Sequence, residues 1–524
     1  MHLVRGGLNT GTTCGAPGLG LYWLEACFGA RGRHRSEDIM AGITRFGGYV
    51  PRLRLQRSAA VEANGWFNPA LKGLAKGERS MCNWDEDSLT MAVEASRDCL
   101  GEVPPADLRG LYFASTTMPF ADRQNATVIA TALNLGEDLR TVDLTSSQRA
   151  GTSGMIEAME NVEGRDGQVL FMAADTRETA SSGAQELQMG DAAAAFTLGN
   201  DNVIAEYLGG HQVSTDFVDH YRGQNRSFDY NWEERWIRDE GYFKIVPPAV
   251  QKLLEKTGVA GADVDMLVMP ALIRGVPQKI AKGAGIPDEA VQDNLHAVMG
   301  ESGAAHALVM LSKALQNAGP GKNILVIGWG QGCDLMMFRT TDAIAGYKPA
   351  LGGVEGYLGR RKEEHNYNRY LAFNELIDRD KGIRAEVDAQ TALSTLYRNR
   401  KKVLGFIGGK CTKCGTVQYP KSHICVNPNC GEWKSQEDHP FADEPCTVQS
   451  WTADGLTYSP DPPTHFGMVT FQAGGRLMAD LTDVDKGGVE VGMPLRMVFR
   501  VKVEDERRGF KKYFWKAAPD HRAA

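Results

Sequence analysis

Four cysteines in the last quarter of the sequence carry the clearest chemistry. Cys411-Thr412-Lys413-Cys414 is followed, after ten intervening residues, by Cys425 and then by Cys430. Four thiolates close a tetrahedral shell around Zn²⁺, and a closed shell is structural because it leaves no open position for a substrate. The first pair has the usual knuckle spacing, and Gly415 directly after it permits the tight turn. Cys425 and Cys430 are more loosely spaced, with four residues between them. The other cysteines (Cys14, Cys27, Cys82, Cys99, Cys333 and Cys446) are scattered. That is the pattern of small buried hydrophobes in a reducing compartment, not of a disulfide framework.

The elements around this cluster fall into blocks. Between Met40 and Thr341, short apolar runs alternate with helical patterns. Leu111–Ala114, Val169–Ala173, Met266–Met269 and Ile324–Ile327 read as buried strands, and Asp85 to Leu100 reads as a helix. Its acidic start, Asp85-Glu86-Asp87, suits the positive end of a helix dipole. Such alternation predicts an α/β sheet covered on both faces. Residues 343–400 are charged and poor in strands, a linker with helices. After Lys410, short β-rich runs (Val448–Trp451, Met468–Phe471, Leu495–Val501) punctuated by Gly and Pro predict a small β-barrel. The first 39 residues are rich in Gly, Arg and Thr and read as a disordered extension or a start called too early.

With 58 basic against 65 acidic residues, the net charge of −7 argues against wholesale nucleic-acid binding. A basic–aromatic stretch, Arg507 to Trp515, offers a local exception and otherwise reads as a barrel edge. No apolar run approaches the ~20 residues that span a bilayer, so a cytoplasmic protein without membrane contact is expected.

A set of segments, in order, resembles the thiolase superfamily and, within it, the HMG-CoA-synthase-like proteins of prokaryotes. Asp85 through Ala95 resembles that family's first helix. Asp143-Leu144-Thr145-Ser146-Ser147-Gln148-Arg149-Ala150-Gly151-Thr152 resembles its nucleophile turn, and Gly190-Asp191-Ala192-Ala193-Ala194 the start of a later strand. Thr215-Asp216-Phe217 and Gly241-Tyr242-Phe243-Lys244 also fit. The tail resembles the zinc-ribbon/OB domain that accompanies such enzymes and is thought to help bind acyl-CoA. The resemblance implies a duplicated five-layer βαβαβ fold with five strands per half, a homodimer, and an acyl-CoA substrate, coenzyme A being part of it. The implied organisation is the extension (1–39), two thiolase-like halves (40–207 and 208–342), the linker (343–400), a zinc ribbon holding structural zinc (401–435), and an OB-type barrel with its tail (436–524).

The sequence departs from the family where its chemistry sits. Such condensing enzymes use a cysteine at a helix N-terminus, where the dipole favours the thiolate and backbone amides stabilise the oxyanion. Aligning Ala150-Gly151-Thr152 with the family turn puts Gln148 at the cysteine. Glutamine forms no thioester, so a covalent intermediate there would need the alignment to slip onto Ser146 or Ser147. The family glutamate falls on Thr116 and its histidine on Pro270. Asn294 precedes Gly300-Glu301-Ser302-Gly303, where relatives place a catalytic asparagine, and the nearest match is Glu301.

The reading that follows is a non-covalent enzyme that cleaves a C–C bond of a β-ketoacyl-CoA, by hydrolysis or decarboxylation. Gln148 would donate to the enolate, Glu301 would activate water, and Thr116, at the glutamate position, is the third catalytic candidate. Asn294, Lys244 and Arg274 are candidate substrate contacts, the two cations being otherwise ordinary surface residues. His296 and His306 are weaker acid–base candidates and read first as structural histidines. The alternatives are an inactive acyl-CoA-binding or scaffold subunit, and a condensing acyltransferase with a different nucleophile.

Overall fold

The computed structural model describes residues 41–101, 104, 106–390 and 392–523; the extension expected over 1–39 lies outside the described residues. The body is built from one pattern used twice. The first pass runs β1 (Gly42–Tyr49), α1 (Ser88–Leu100), β2 (Leu108–Ala114), α2 (Asn125–Ala132), β3 (Arg140–Leu144), α3 (Ala150–Val162), β4 (Gln168–Thr176) and β5 (Asp191–Gly199). The second runs β6 (Ala205–Ser214), α4 (Phe243–Thr257), β7 (Met266–Val268), α5 (Val276–Gly283), α6 (His306–Asn317), β8 (Asn323–Trp329) and β9 (Gly332–Thr340).

All nine strands join one sheet in the order β7-β8-β9-β6-β1-β5-β4-β2-β3. The halves meet where β1 pairs antiparallel with β6, Gly42 opposite Glu206 and Ile43 opposite Ala205. Five strands per half are expected, but the second half supplies four. A single bridge from Leu267 to Val291 stands where the counterpart of β3 would lie. Beyond it Asp293 turns the chain, its carboxylate accepting from the Leu295 amide at 2.8 Å.

β5 shows why the sequence suits the sheet. Ala192 to Ala195 are fully buried, and the strand packs against both α1 and α6. Alanine favours helices, yet here its small side chain lets helices close on a central strand. On the other side of the site, a Cβ at Gly151 in α3 would lie 2.0 Å from the carbonyl oxygen of Ala304, just before α6. The two central helices are therefore brought together at their N-terminal ends by the absence of a side chain.

The C-terminal strands Cys446–Asp454, Thr464–Phe471, Arg476–Asp480, Pro494–Asp505 and Phe510–Pro519 form an antiparallel sheet, with a bridge from Leu481 to Ala517 linking back across it. This barrel is fastened to the body through the acidic residues around α1. The helix starts later than its acidic run suggests: Asp87 is its N-cap, accepting from the Thr90 amide at 2.9 Å. Asp85 and Glu86 lie before the first turn and serve the barrel. Glu86 pairs with Arg500 at 2.7 Å and Asp85 with Lys516 at 2.8 Å. Asp87 also accepts from the Tyr513 hydroxyl at 2.7 Å, and Glu94 pairs with Arg496. Two aromatic residues of the Arg507–Trp515 stretch turn inward: Tyr513 and Trp515 are buried, and the Trp515 indole donates to the Leu404 carbonyl at 2.6 Å, while Phe510 and Phe514 are half-buried. Among the described residues no helix is long and apolar enough to cross a membrane.

Candidate functional site

The nucleophile-turn segment leaves β3 and enters α3 with Ser146 at a positive φ of 74°. The Ser147 hydroxyl accepts from the Arg149 amide at 3.1 Å, and the Ala150 amide donates to the Ser147 carbonyl at 2.9 Å. The start of α3 is tied down by Asp334 of β9, a fully buried carboxylate. It accepts from the hydroxyls of Thr152 at 2.8 Å and Ser153 at 2.6 Å and pairs with Arg149 at 3.1 Å. A carboxylate at a helix N-terminus is favoured by the dipole.

A second buried carboxylate, Asp175 at the end of β4, does comparable work for α6. It accepts from the Ala304 amide at 2.7 Å in the turn leading into that helix. The same group accepts from the hydroxyls of Ser115 at 2.9 Å, Thr116 at 2.9 Å and Thr117 at 3.0 Å. Gly303 is required beside it, for a Cβ there would lie 2.2 Å from Asp175 Oδ2.

Between these anchors lies a cavity of about 270 Å³. Gln148 and Glu301 both line it. With its carboxamide oxygen turned to Arg177, Gln148 accepts from Nη1 at 2.9 Å and Nη2 at 3.3 Å, an orientation assigned from the hydrogen bonding. The amide N–H groups are then the donors Gln148 can offer a ligand. Arg177 is buried and pairs also with Asp229. Burial works against its charge, but Asp229, Glu301 and Asp175 outweigh burial and hold the guanidinium above its ordinary pKa. Glu301 is held by its backbone, its N–H donating to Gln188 and its carbonyl accepting from Gly190, both at 2.8 Å. Its carboxylate oxygen Oε2 is buried and has no partner among the described residues.

The rest of the lining is largely aromatic and aliphatic: Trp232, Ile237, Tyr242, Leu272, Ile273 and Trp329. The segment before α4 folds over this side, with His220–Tyr221 paired to Tyr230–Asn231. Asp229 binds it to Arg177 and, within the segment, holds Arg222 at 3.3 Å, which in turn donates to the Thr116 carbonyl. Within it Asp219 and His220, both on the cavity wall, form a pair: Asp219 Oδ1 meets His220 Nδ1 at 2.9 Å, and Asp219 Oδ2 accepts from the Trp329 indole at 2.8 Å. Burial alone would raise the Asp219 carboxyl, but the His220 and Trp329 donors outweigh it and hold it below the usual carboxylate range.

The other expected site residues are placed as follows. Thr116 is not on the cavity wall; its hydroxyl is spent on Asp175 and its carbonyl accepts from Arg222. Pro270 does line the cavity. Asn294 is outside it: its carbonyl accepts from His306 Nε2 at 2.8 Å and its side chain from the His296 amide at 3.1 Å. His306 is fully buried, and Nδ1 also accepts from the Ser302 amide at 3.0 Å, so both ring nitrogens are used structurally. Burial lowers its pKa, and burial with the adjacent His306 and Arg57 pushes His296 down to about 2. Lys244 is exposed and paired with Glu240 at 2.5 Å, and Arg274 is exposed. Neither Ser146 nor Ser147 lines the cavity. Arg177, Asp219 and His220 were not singled out from the sequence. The only signal was the adjacent Asp219-His220, two residues beyond Thr215-Asp216-Phe217.

In the ribbon, the sulfurs of Cys411, Cys414, Cys425 and Cys430 lie within 4.8 Å of one another, with 3.5 Å between Cys414 and Cys425 and 3.9 Å between Cys411 and Cys430. Thiolates ~2.3 Å from zinc at tetrahedral angles would stand about 3.8 Å apart, so the four cysteines fit that ion. Gly415 and Gly431, each directly after a cysteine, take positive φ values of 74° and 55° and make the two knuckle turns. Structural zinc is supported on both composition and geometry.

Comparison with known proteins agrees with this architecture. Residues 254–337 match the family model of the 3-oxoacyl-[acyl-carrier-protein] synthase III C terminal, residues 398–433 that of the ChsH2 rubredoxin-like zinc ribbon domain, and residues 444–500 that of the ChsH2 C-terminal OB-fold domain. The chain is 32% identical over 336 residues to the hydroxymethylglutaryl-CoA synthase of Aeropyrum pernix, covering 63% of this chain and 93% of that protein. It is 31% identical over 345 residues to that of Methanocaldococcus jannaschii, covering 64% and 99%. Among solved structures, an HMG-CoA synthase complexed with CoA superposes with a TM-score of 0.55 at 14% identity, over 76% of this chain and all of that one. MvaS in complex with 3-hydroxy-3-methylglutaryl coenzyme A gives 0.54 at 18% identity, over 64% and 92%.

Proposed function

Because this chain belongs to the hydroxymethylglutaryl-CoA synthase family of thiolase-like proteins, we propose that it acts on acyl-CoA thioesters, that Gln148 takes the place of the family nucleophile, and that it cleaves a C–C bond of a β-ketoacyl-CoA without a covalent intermediate. One observation carries this reading. Gln148 lines the cavity just before the N-terminus of α3, and Arg177 occupies its oxygen. The N–H donors that remain, with the positive end of the helix, suit a developing enolate oxygen.

In the hydrolytic form, water adds to the β-carbonyl carbon. The Cα–Cβ bond then breaks, its electron pair moves into the thioester as an enolate, and Cα takes up a proton. The products are a carboxylic acid and a shortened acyl-CoA. Decarboxylation of a β-carboxy thioester would pass through the same enolate. Glu301, which lines the cavity, is the group that would orient the attacking water. The aromatic wall favours an apolar or aromatic acyl group. Lys244 and Arg274 remain candidates for phosphate contacts at the surface, and the protein would work as a homodimer in the cytoplasm.

The test is mass spectrometry of the full chain incubated with aliphatic and aromatic β-ketoacyl-CoAs. Cleaved or decarboxylated product with no acyl adduct on the protein supports the proposal. Gln148→Ala should lower turnover about 10²–10³-fold, as expected for one lost oxyanion donor, and Glu301→Gln should lower it as well. Binding without product from any substrate would refute catalysis and leave an acyl-CoA-binding subunit. An acyl adduct on the wild type would refute the non-covalent course.

A further inference from the structure

We infer that Asp219 and His220 are the base pair that activates the hydrolytic water, an inference that rests on the cleavage reaction proposed above. His220 stands on the cavity wall with Gln148 and Glu301. Its Nδ1 is held by Asp219 Oδ1 at 2.9 Å, which fixes the proton on that nitrogen and leaves Nε2 as the basic atom. Nε2 has no hydrogen-bond partner among the described residues. The imidazole side chain is 19% exposed, so water reaches it.

Asp219 is in turn clamped. Its Oδ2 accepts from the Trp329 indole at 2.8 Å, its carbonyl accepts from the Trp232 amide at 2.9 Å, and its Oδ1 also takes the His220 amide at 2.8 Å. Trp329 closes β8, while the pair itself lies in the segment that Asp229 ties to Arg177. The imidazole is therefore oriented from two directions. The arrangement has the parts of a general base: a nitrogen without a protein partner on a residue of the cavity wall, and a carboxylate that sets the tautomer and stabilises the imidazolium. The other two histidines near the site cannot take this role. His306 has both nitrogens engaged, and His296 is not on the cavity wall.

The step balances without any further reactant. His220 Nε2 takes one proton from water as its oxygen bonds to the β-carbonyl carbon. The Cα–Cβ bond breaks with its electrons in the thioester enolate. The imidazolium then returns the proton to Cα, directly or through water, and the neutral histidine is restored. Glu301 holds the water, Gln148 holds the enolate oxygen, and Asp219 stays ionised.

The experiment compares the wild-type chain with His220→Gln and Asp219→Asn, using the β-ketoacyl-CoA that the wild type turns over best. His220→Gln should lower kcat about 10²–10⁴-fold while KM stays within about threefold. Asp219→Asn, which keeps the ring but offers it the wrong partner, should lower kcat in the same direction. Wild-type turnover in His220→Gln would overturn the base assignment and leave the cleavage reaction standing. Absence of wild-type turnover would sink the reaction, and the base with it. A His220→Gln protein that fails to fold is recognised by its melting curve, and Asp219→Asn then decides.

Discussion

Replacing Arg500 by Met removes the cation at the centre of the seam between barrel and body. Arg500 is 1% exposed and touches Glu86 and Asp483 at 2.7 Å each, the Tyr49 hydroxyl at 3.2 Å and Asp85 at 3.8 Å. Each close pair is worth about 4 kcal/mol at an effective dielectric near 20, but the cost of burying the ions offsets most of that. Breaking one buried pair typically costs about 3–5 kcal/mol, because the partner is left charged and dry. With three carboxylates facing one guanidinium, the upper end, about 5 kcal/mol, is expected at pH 8.

The pH dependence follows from Glu86. Burial chiefly, then Asp483 and Asp85, against the pull of Arg500, push its carboxyl up to about 7. A carboxyl raised on folding binds more protons in the native state, so stability falls as pH rises from the ordinary carboxylate range to about 7. Without Arg500 that window extends above pH 7, so the defect should grow toward pH 8 and shrink toward pH 5.5. Urea unfolding followed by tryptophan fluorescence, which includes Trp515 in the barrel, measures it. At a slope of ~3 kcal/mol/M the midpoint should fall by about 1.7 M at pH 8. A loss below about 0.3 M at pH 8, or the same loss at both pH values, would refute this account of the seam.

Three further outcomes are expected. Gln148→Cys puts a thiol beside Arg177 at the N-terminus of α3, where both favour the thiolate; intact-protein mass spectrometry after incubation with acyl-CoA should show an added acyl group absent from the wild type, and no adduct would place the nucleophile position elsewhere. Gly151→Ala drives a methyl group into the Ala304 carbonyl; parting the two helices by ~1 Å should lower turnover about 10²-fold, and unchanged kinetics would show that their close approach is not needed. Cys425→Ser opens the four-sulfur shell and should strip zinc from the purified protein, read by metal analysis, whereas an unchanged zinc content would remove the ribbon assignment.

Legibility varied with the physics of each element. The buried strands β2, β4, β7 and β8 were visible because covering a strand on both faces demands an unbroken apolar run. The ribbon was visible because its four ligands are local in sequence and tetrahedral zinc restricts their spacing. β1 and β6 were obscured by glycines and polar residues, whose meaning appears only at the β1–β6 junction and beneath neighbouring helices. The acidic start of α1 suggested a helix dipole, and only the fold shows that Asp85 and Glu86 answer Arg500 and Lys516 more than four hundred residues later. In the candidate site, Gln148 and Glu301 were legible through the turns that carry them. Arg177 and the Asp219–His220 pair were not, because what fixes them comes from far along the chain: Asp229 is 52 residues from Arg177 and Trp329 is 110 residues from Asp219, and such contacts leave no local pattern.

The polar groups left in the cavity bear on whether the body is a catalyst or a retired scaffold. A buried polar atom without a partner costs about 1–3 kcal/mol, and apolar residues of similar shape can replace such groups at little cost. A body kept only for its fold would gain by such replacement. Here Glu301 Oε2 is buried and unpartnered, and Gln148 spends its oxygen on Arg177 while its N–H groups are the donors left for a ligand. Asp219 is kept ionised by donors that also aim an imidazole. These groups line one cavity whose wall is otherwise largely apolar, with Trp, Tyr, Ile and Leu side chains beside Thr152, Gln188, Asn231 and Glu234. Strain-free packing does not call for that combination, whereas a reaction that forms an enolate next to an activated water does. On the proposed reading, the loss of the family's thiol is a change of mechanism: the turn, the helix N-terminus and the buried carboxylates that position them still build a site, and Gln148 would exchange covalent capture for hydrogen bonding.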